Sequence, residues 1–205
     1  MATQIARARL MGIVLAAGES SRMGRDKPLL QWQGHSFLHH CVTKLEEVCG
    51  EIRVVLGHHA ATILAGESEL KVDWRRNHDI TRGRLSTLQV GLEDTEWDAW
   101  ECAFVVPVDH PAFQAKTLRA LLQRRAEAPR VDVVKPQYHG TSGHPVLYSA
   151  AAMAALAAAS SRRKISDVVE KLATGLVAVE DPGIAMNIDT PEDFAALPNP
   201  TRRTP

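Results

Sequence analysis

The chain has 205 residues, a length that suits one domain with a substantial core rather than two independent domains. Apolar residues make up 45% and charged residues 23% of the sequence, a mix that excludes a disordered or membrane-embedded class. Lysine plus arginine equal aspartate plus glutamate at 24 each, so no overall charge draws the protein to nucleic acid or to an anionic membrane. We expect small-molecule partners.

The cysteines and the N-terminal residues indicate the compartment. Cys41, Cys49 and Cys102 form neither a CxxC pair nor an even disulfide set, and their apolar surroundings predict buried free thiols in a reducing environment. The first residues run into a strand pattern without the apolar core and cleavage site of a signal peptide, and no apolar run approaches membrane-spanning length. We therefore expect a cytoplasmic protein.

Strand and helix patterns alternate along the chain. Short apolar runs rich in branched residues predict strands at residues 10–16, 52–56, 102–106 and 131–134, and a weaker one at 176–179. Helical patterns cover residues 37–48, which follow a plausible N-cap at Ser36, and residues 85–92, 114–126 and 150–159. The alternation predicts an α/β fold, a Rossmann-like three-layer α/β/α sandwich with a mainly parallel sheet and a ligand crevice at the carboxyl ends of its strands.

The end of the sequence differs from the rest. Residues 198–205, PNPTRRTP, contain three prolines and have little to bury. We expect a single domain over residues 1–197, followed by a disordered tail.

The turn after the first strand, AAGESSRMGRDKP, has the features of a phosphate loop. Small residues at Ala16, Ala17 and Gly18 let backbone amides approach an anion, while Arg22 and Lys27 supply positive charge. The segment matches neither GxxxxGK[ST] nor GxGxxG, so it is not one of those two phosphate loops. A glycine-rich turn with incidental surface cations is the alternative, and the two cations within the loop favour phosphate binding.

Two aspartates are candidate metal ligands. Asp109 follows the buried strand at residues 102–106, where an open α/β sheet places its ligand, and magnesium prefers carboxylates plus phosphate oxygens. The alternative for Asp109 is a role in the turn between its flanking prolines. Thr190 and Pro191 make a good helix start, which leaves the preceding Asp189 without a structural explanation.

The segment LAAGESSRMGRDK resembles the signature loop of the nucleotidyltransferases of molybdenum-cofactor biosynthesis, within the superfamily that includes sugar-phosphate and methylerythritol-phosphate nucleotidyltransferases. The resemblance runs from about Leu10 to Phe194 and implies a sandwich of nucleotidyltransferase type. It implies that Arg22 meets the outer phosphates of a nucleoside triphosphate and Lys27 the phosphate under attack. It also implies that Asp109 and Asp189 hold Mg2+ at the α-phosphate. The nucleotide-binding residues carried over with Arg22, Lys27 and Asp109 are Leu15, Ala16, Ala17, Gly18, Gly24, Asn77 and Ser86.

The resemblance also implies an acceptor side, with Gly143, His144 and Asn187 as acceptor-binding residues. A satisfied structural histidine is the alternative at His144, and capping of a helix is the alternative at Ser86. We expect His110 to pack locally, because hard magnesium takes oxygen ligands.

The implied reaction is attack by an acceptor phosphate oxygen on the α-phosphorus, with release of pyrophosphate. In the resembled family Ala-Ala-Gly goes with cytidine transfer and Ala-Gly-Gly with guanosine transfer, so Ala16-Ala17-Gly18 favours CTP over GTP, with molybdopterin as acceptor. One rival hypothesis is the same chemistry on a sugar, alditol or choline phosphate. Another is a non-catalytic nucleotide-binding chaperone for a molybdenum hydroxylase client, which need not retain all four of the charged residues named above.

Overall fold

The computed structural model describes residues 6–198, and their strands and helices alternate as the sequence predicts. The strands are β1 (Leu10–Ala16), β2 (Gln31–Trp32), β3 (His35–Ser36), β4 (Glu51–Leu56), β5 (Asp73–Arg76), β6 (Cys102–Pro107), β7 (Val133–Tyr138), β8 (Thr141–Ser142), β9 (Val146–Ser149) and β10 (Thr174–Ala178). The helices are α1 (Phe37–Glu46), α2 (Ala60–Gly66), α3 (Arg84–Leu92), α4 (Ala115–Glu127), α5 (Ala150–Ala158), α6 (Ile165–Val169) and α7 (Pro191–Ala195). Short 3₁₀ turns include Lys27–Leu29, Ile80–Arg82 and Pro182–Ala185.

The central sheet has the order β10-β7-β9-β6-β1-β4-β5, with β8 paired to β7. β1 pairs in parallel with both β4 and β6, β4 with β5, and β7 with β10. β9 is antiparallel to both β6 and β7, because the chain doubles back after β8. The prediction of a mainly parallel sheet is confirmed, although the sequence patterns did not predict the inserted strand β9.

Helices cover both faces of the sheet, which confirms the three-layer sandwich. On β1, Leu10 and Val14 point to one face and Met11 and Ile13 to the other, as the two-residue period of a strand requires. α1, α2 and α4 pack on the first face, and α3, α5 and α6 on the second. A strand buried on both faces explains why β1 reads as a continuous apolar run.

Several local predictions are confirmed in the part of the chain that the structure describes. The hydroxyl of Ser36 accepts a hydrogen bond from the backbone N–H of His39 and caps α1. All three cysteines are buried free thiols, and burial raises the pKa of Cys41 and of Cys49 to about 12. No helix within residues 6–198 has the length and apolarity needed to cross a membrane.

Pro198, the first residue of the predicted tail, contacts the segment that joins β2 to β3. The carbonyl of Pro198 accepts hydrogen bonds from the side chains of Trp32 and Gln33, at 3.0 and 3.2 Å. The predicted tail therefore begins with a residue that is held, and its remaining residues, 199–205, lie outside the described part.

Candidate active site

A cavity of about 480 Å³ opens where β1 and β6 end side by side. This is the carboxyl edge of the parallel strands, where open α/β sheets bind ligands. The glycine loop that follows β1 forms one wall, and the start of α3 forms another. The lining residues are Leu15, Ala16, Ala17, Gly18, Glu19, Ser20, Ser21, Arg22, Lys27, Pro28, Ile80, Thr81, Gly83, Arg84, Thr87, Pro107, Val108, Asp109 and Asp189.

The glycine loop is folded around Ser20. Ser20 has a positive φ of 53°, and its carbonyl accepts hydrogen bonds from the N–H groups of Met23 and Gly24. Its hydroxyl accepts a third, at 3.1 Å, from the N–H of Lys27. Gly24 has φ 68° and does not line the cavity, so its contribution is to the shape of the loop. This fold directs Arg22 and Lys27 into the cavity.

The two aspartates, 80 residues apart in sequence, meet at the floor of the cavity. The N–H of Ile188 donates to the carbonyl of Asp109 at 2.8 Å, which joins the two segments. The carboxylate of Asp193 accepts hydrogen bonds from the N–H groups of Asp189 and Thr190, at 3.0 and 2.8 Å. The capping box at the start of α7 therefore also fixes the backbone of Asp189.

Lys27 bridges the two carboxylates. Its Nζ lies 2.5 Å from Asp189 Oδ1 and 3.4 Å from Asp109 Oδ2, and all three side chains are largely buried. Arg22 Nη2 contacts Asp189 Oδ2 at 2.9 Å, but its side chain is 70% exposed, so solvent weakens that pair. Hydrogen bonding by Lys27, aided by the charge of Arg22, holds the pKa of Asp189 below its ordinary value. The site therefore has two carboxylates, each facing a cation.

The two carboxylates are suitable ligands for a divalent ion. Asp109 Oδ1 is buried without a hydrogen-bond partner in the described structure, so one lone-pair direction remains free. No group of three or more His, Cys, Asp or Glu side chains within residues 6–198 could form a full protein cage. Two carboxylates completed by substrate phosphates are the arrangement that Mg2+ favours, and the fit is good.

Two other predicted nucleotide-binding residues lie behind the cavity wall. Asn77 is buried, and its amide donates to the hydroxyls of Ser86 and Thr87 at 3.2 and 3.0 Å. Ser86 in turn donates to the carbonyl of Gly83 at 2.8 Å, so it is not the N-cap of α3. Of these residues Thr87 and Gly83 line the cavity, while Asn77 and Ser86 hold the wall in place.

The predicted acceptor residues are grouped beside the cavity without lining it. A Cβ at Gly143 would lie 2.0 Å from the carbonyl oxygen of Ile184, so glycine is required there for the close approach of these two backbone segments. The ring of His144 packs edge-on against His110, with 4.7 Å between centroids. Asn187 donates to Asp189 Oδ2 at 3.0 Å and orients that carboxylate.

The two imidazoles are neutral at ordinary pH. Burial lowers the pKa of His144 to about 3, and burial also lowers that of His110. The Nδ1 atoms of both rings are buried without a partner among the described residues.

Sequence reasoning selected Asn77 and Ser86 from the segment that joins β5 to α3, but not the residues between them that line the cavity. These are Ile80, Thr81, Gly83 and Arg84. Gly83 has φ 87°, a conformation suited to glycine, and it precedes α3 directly. The resemblance pointed to this segment, but a glycine before a helix did not distinguish a cavity-lining residue from a simple helix start.

Comparisons with known proteins identify the family of this chain. Residues 12–176 match the MobA-like NTP transferase domain. The chain is 27% identical over 188 residues to the molybdenum cofactor cytidylyltransferase of Escherichia coli K12, covering 89% of this chain and 92% of that protein. It is 30% identical over 129 residues to a probable molybdenum cofactor guanylyltransferase of Bacillus cereus AH187, covering 63% and 62%.

The fold has solved counterparts. The crystal structure of Rv0371c from Mycobacterium tuberculosis H37Rv superposes with a TM-score of 0.78 at 22% identity, covering 93% of this chain and 97% of that one. Its complex with manganese superposes with a TM-score of 0.74 at 21% identity, covering 91% and 96%. The chain belongs to the family of MobA-like NTP transferase domains and is a nucleotidyltransferase similar to those named for the molybdenum cofactor.

Proposed function

We propose that the protein transfers CMP, in preference to GMP, from a nucleoside triphosphate to the phosphate of molybdopterin, with Mg2+ as cofactor and pyrophosphate as the second product. The observation that carries the proposal is the convergence of Asp109 and Asp189 on Lys27 at the floor of the cavity below the glycine loop. Phosphoryl-type transfer needs positioning and charge neutralisation rather than a covalent nucleophile, and this site offers both.

The residues of the site can exchange partners when substrate enters. In the structure Lys27 pairs with both aspartates and Arg22 with Asp189. A triphosphate presents more negative charge to these cations than the carboxylates do, so they turn to the phosphates and release Asp109 and Asp189. The freed carboxylates would hold Mg2+, which supplies charge stabilisation at the α-phosphate.

Neighbouring residues fix the positions of the two aspartates during this exchange. The amide of Asn187 donates a hydrogen bond to the carboxylate of Asp189, and the carboxylate of Asp193 accepts one from the backbone N–H of Asp189. Asp109 is fixed by the strand end before it and by Ile188. Carboxylates held by their surroundings need little reorganisation during the reaction, which is how preorganised sites lower a barrier.

The preference for CTP is supported by Ala17. Its side chain is buried in the cavity wall. A Cβ added at Gly57 would lie 2.5 Å from the carbonyl oxygen of Ala17, so the two backbones are in close contact. The loop is therefore clamped against the end of β4 and cannot easily move away from a larger base. In this proposal the base lies against the methyl group of Ala17, which would take space that a purine needs.

The test is a pyrophosphate-release assay with purified protein, Mg2+, molybdopterin and each of the four nucleoside triphosphates in turn. We expect release with CTP and molybdopterin together and less with GTP. Release only with a sugar, alditol or choline phosphate would replace the acceptor, and binding of CTP without release under any condition would favour the chaperone hypothesis.

A further inference from the structure

Two adjacent histidines lie in the segment that joins β4 to α2, beside the glycine loop. His58 is exposed, and its side chain forms no hydrogen bond or ion pair with any of residues 6–198. The ring of His59 contacts the loop, because its Nδ1 lies 2.5 Å from Oδ1 of Asp26, the residue before Lys27. A carboxylate oxygen accepts hydrogen bonds, so the imidazole is the donor. The two neighbours therefore differ: His59 is joined to the glycine loop, and His58 faces solvent.

The carboxylate of Asp26 serves this contact rather than its own turn. Asp26 is the residue before the 3₁₀ turn Lys27–Leu29, a position where aspartate often caps the backbone with its side chain. No hydrogen bond of that kind is present here. The carboxylate reaches across to His59 instead, so it joins two segments that are distant in sequence.

The other end of α2 packs on the far side of the same turn. His59 is the N-cap residue of α2, and Gly66 is its last residue. A Cβ at Gly66 would lie 2.9 Å from Cδ2 of Leu29, so the end of the helix lies directly against that side chain. The two ends of α2 therefore contact the residue before Lys27 and the second residue after it.

These contacts fix the backbone of Lys27 from several directions. Its own N–H donates to the hydroxyl of Ser20 at 3.1 Å, and α2 contacts its neighbours on both sides. A point charge stabilises a developing charge only from the correct position, and a displacement of about 1 Å can lower a rate by about 10²-fold. The attachment of this turn to α2 therefore bears on catalysis.

We propose that His59 is a positioning residue for the transfer reaction: it holds Asp26, and thereby fixes Lys27 where its ammonium meets the phosphate under attack. The inference rests on the proposed nucleotidyl transfer for the role of Lys27. His59 does not line the cavity and acts through Asp26. Its side chain is 50% exposed, so the contact adds little to stability and its loss should affect turnover more than folding.

Steady-state kinetics with His59→Leu, His59→Asn and wild type test the role directly. His59→Leu removes the donor and should lower kcat by about tenfold, with the KM for CTP within about twofold of wild type, since the contact of Lys27 matters most in the transition state. His59→Asn keeps a side-chain N–H and should restore kcat to within about threefold of wild type. An unchanged kcat in His59→Leu, or equal losses in both variants, would overturn the proposal.

His58→Leu is the matched control. It makes the same chemical change at the adjacent exposed position, where the ring has no partner among the described residues. Its kcat and its KM for CTP should equal those of wild type. Equal losses of kcat in His58→Leu and His59→Leu would indicate a general effect on the segment and contradict a specific contact.

A double-mutant cycle tests whether His59 acts through Lys27. In a Lys27→Met background the group that His59 positions is already absent, so adding His59→Leu should lower kcat by no more than about twofold. A purely structural role would give the same loss in both backgrounds. A further tenfold loss in the double variant would therefore overturn the proposal.

Amide hydrogen exchange separates this proposal from the proposed function, because it needs no substrate. The N–H of Lys27 donates to the hydroxyl of Ser20 and that of Leu29 to the carbonyl of Asp26, so their exchange rates report the order of the turn. We expect exchange about tenfold faster at both amides in His59→Leu and unaltered in His58→Leu. If wild type transfers nothing to molybdopterin but exchange still depends on His59, only the proposed function fails. Wild-type exchange rates in His59→Leu overturn the His59 proposal.

Discussion

The glycine-loop side of the cavity and the neighbouring His110–His144 pair accommodate buried polar groups in opposite ways. On the loop side, Lys27 Nζ lies within 3.4 Å of a carboxylate oxygen of both Asp109 and Asp189, so the buried side chains are paired by opposite charge. On the other side, His110 and His144 lose their charge, because burial lowers the pKa of each ring and neither Nδ1 has a partner in the described structure.

This difference separates two kinds of recognition. Paired charges can be exchanged for the charges of a ligand, so the loop side is suited to a triphosphate and a metal ion. Neutral imidazoles carry no net charge, and neither His110 nor His144 lines the cavity, so this pair packs beside the site. Arg84, at the start of α3, lines the same cavity as the loop residues.

The largest expected effect comes from removing a carboxylate on the loop side. Asp109→Asn and Asp189→Asn keep the shape but lose the charge that would hold Mg2+, and each should lower kcat by about 10³-fold in the pyrophosphate assay. The exposed Asp98→Asn is the control and should retain wild-type activity. Near-normal turnover in either site variant, with an unchanged circular dichroism spectrum, would refute the metal assignment.

Removing the bridging cation should have the next largest effect. Lys27→Met is expected to lower kcat/KM for CTP by about 10²-fold, because the phosphate under attack loses its point charge. The pKa of Asp189 should also rise in this variant, since hydrogen bonding by Lys27 is the main cause of its depression. An NMR titration of the carboxylate measures that shift, and exposed Lys116→Met should leave it unaltered.

A smaller change is expected in the preference between the nucleotide bases of CTP and GTP. Ala17→Gly removes one methyl group from the cavity wall, so the ratio of kcat/KM for CTP to that for GTP should fall by about tenfold. Ala128→Gly, which follows α4 outside the cavity, is the control. A ratio that stays constant in Ala17→Gly would remove the argument for CTP.

The smallest effect concerns stability on the imidazole side. The pKa of His144 is lowered to about 3 in the folded protein from 6.5, so the unfolded chain binds a proton first as the pH falls. His144 therefore costs stability below about pH 6, by up to about 1.4 kcal/mol per pH unit until the folded protein also protonates.

His144→Asn should remove that part of the pH dependence. Urea unfolding at several pH values between about 4 and 6 measures the slope of the unfolding free energy, which we expect to be shallower in the variant. Exposed His78→Asn is the control. Identical slopes in wild type and His144→Asn would show that the ring is not held neutral, and the contrast between the two sides would fail.

Much of the site on the loop side could be predicted from the sequence. Arg22 and Lys27 lie in one short segment after a strand, so their convergence on one cavity follows from local geometry. Asp109 comes directly after another strand, at the same edge of the sheet. The roles of Asn77 and Ser86 could not be separated from direct ligand contact, because a buried hydroxyl and a ligand-facing one have the same sequence pattern.

The sequence by itself determined the alternation of strands and helices, the two-sided burial of β1 and the position of the glycine loop, because these depend on neighbours within a few residues. Only the tertiary structure decided the antiparallel insertion of β9, the meeting of Asp109 and Asp189 across 80 residues, and the position of Arg84 on the opposite wall. Those features depend on contacts between distant segments, such as the hydrogen bond from Ile188 to Asp109, which no local pattern encodes.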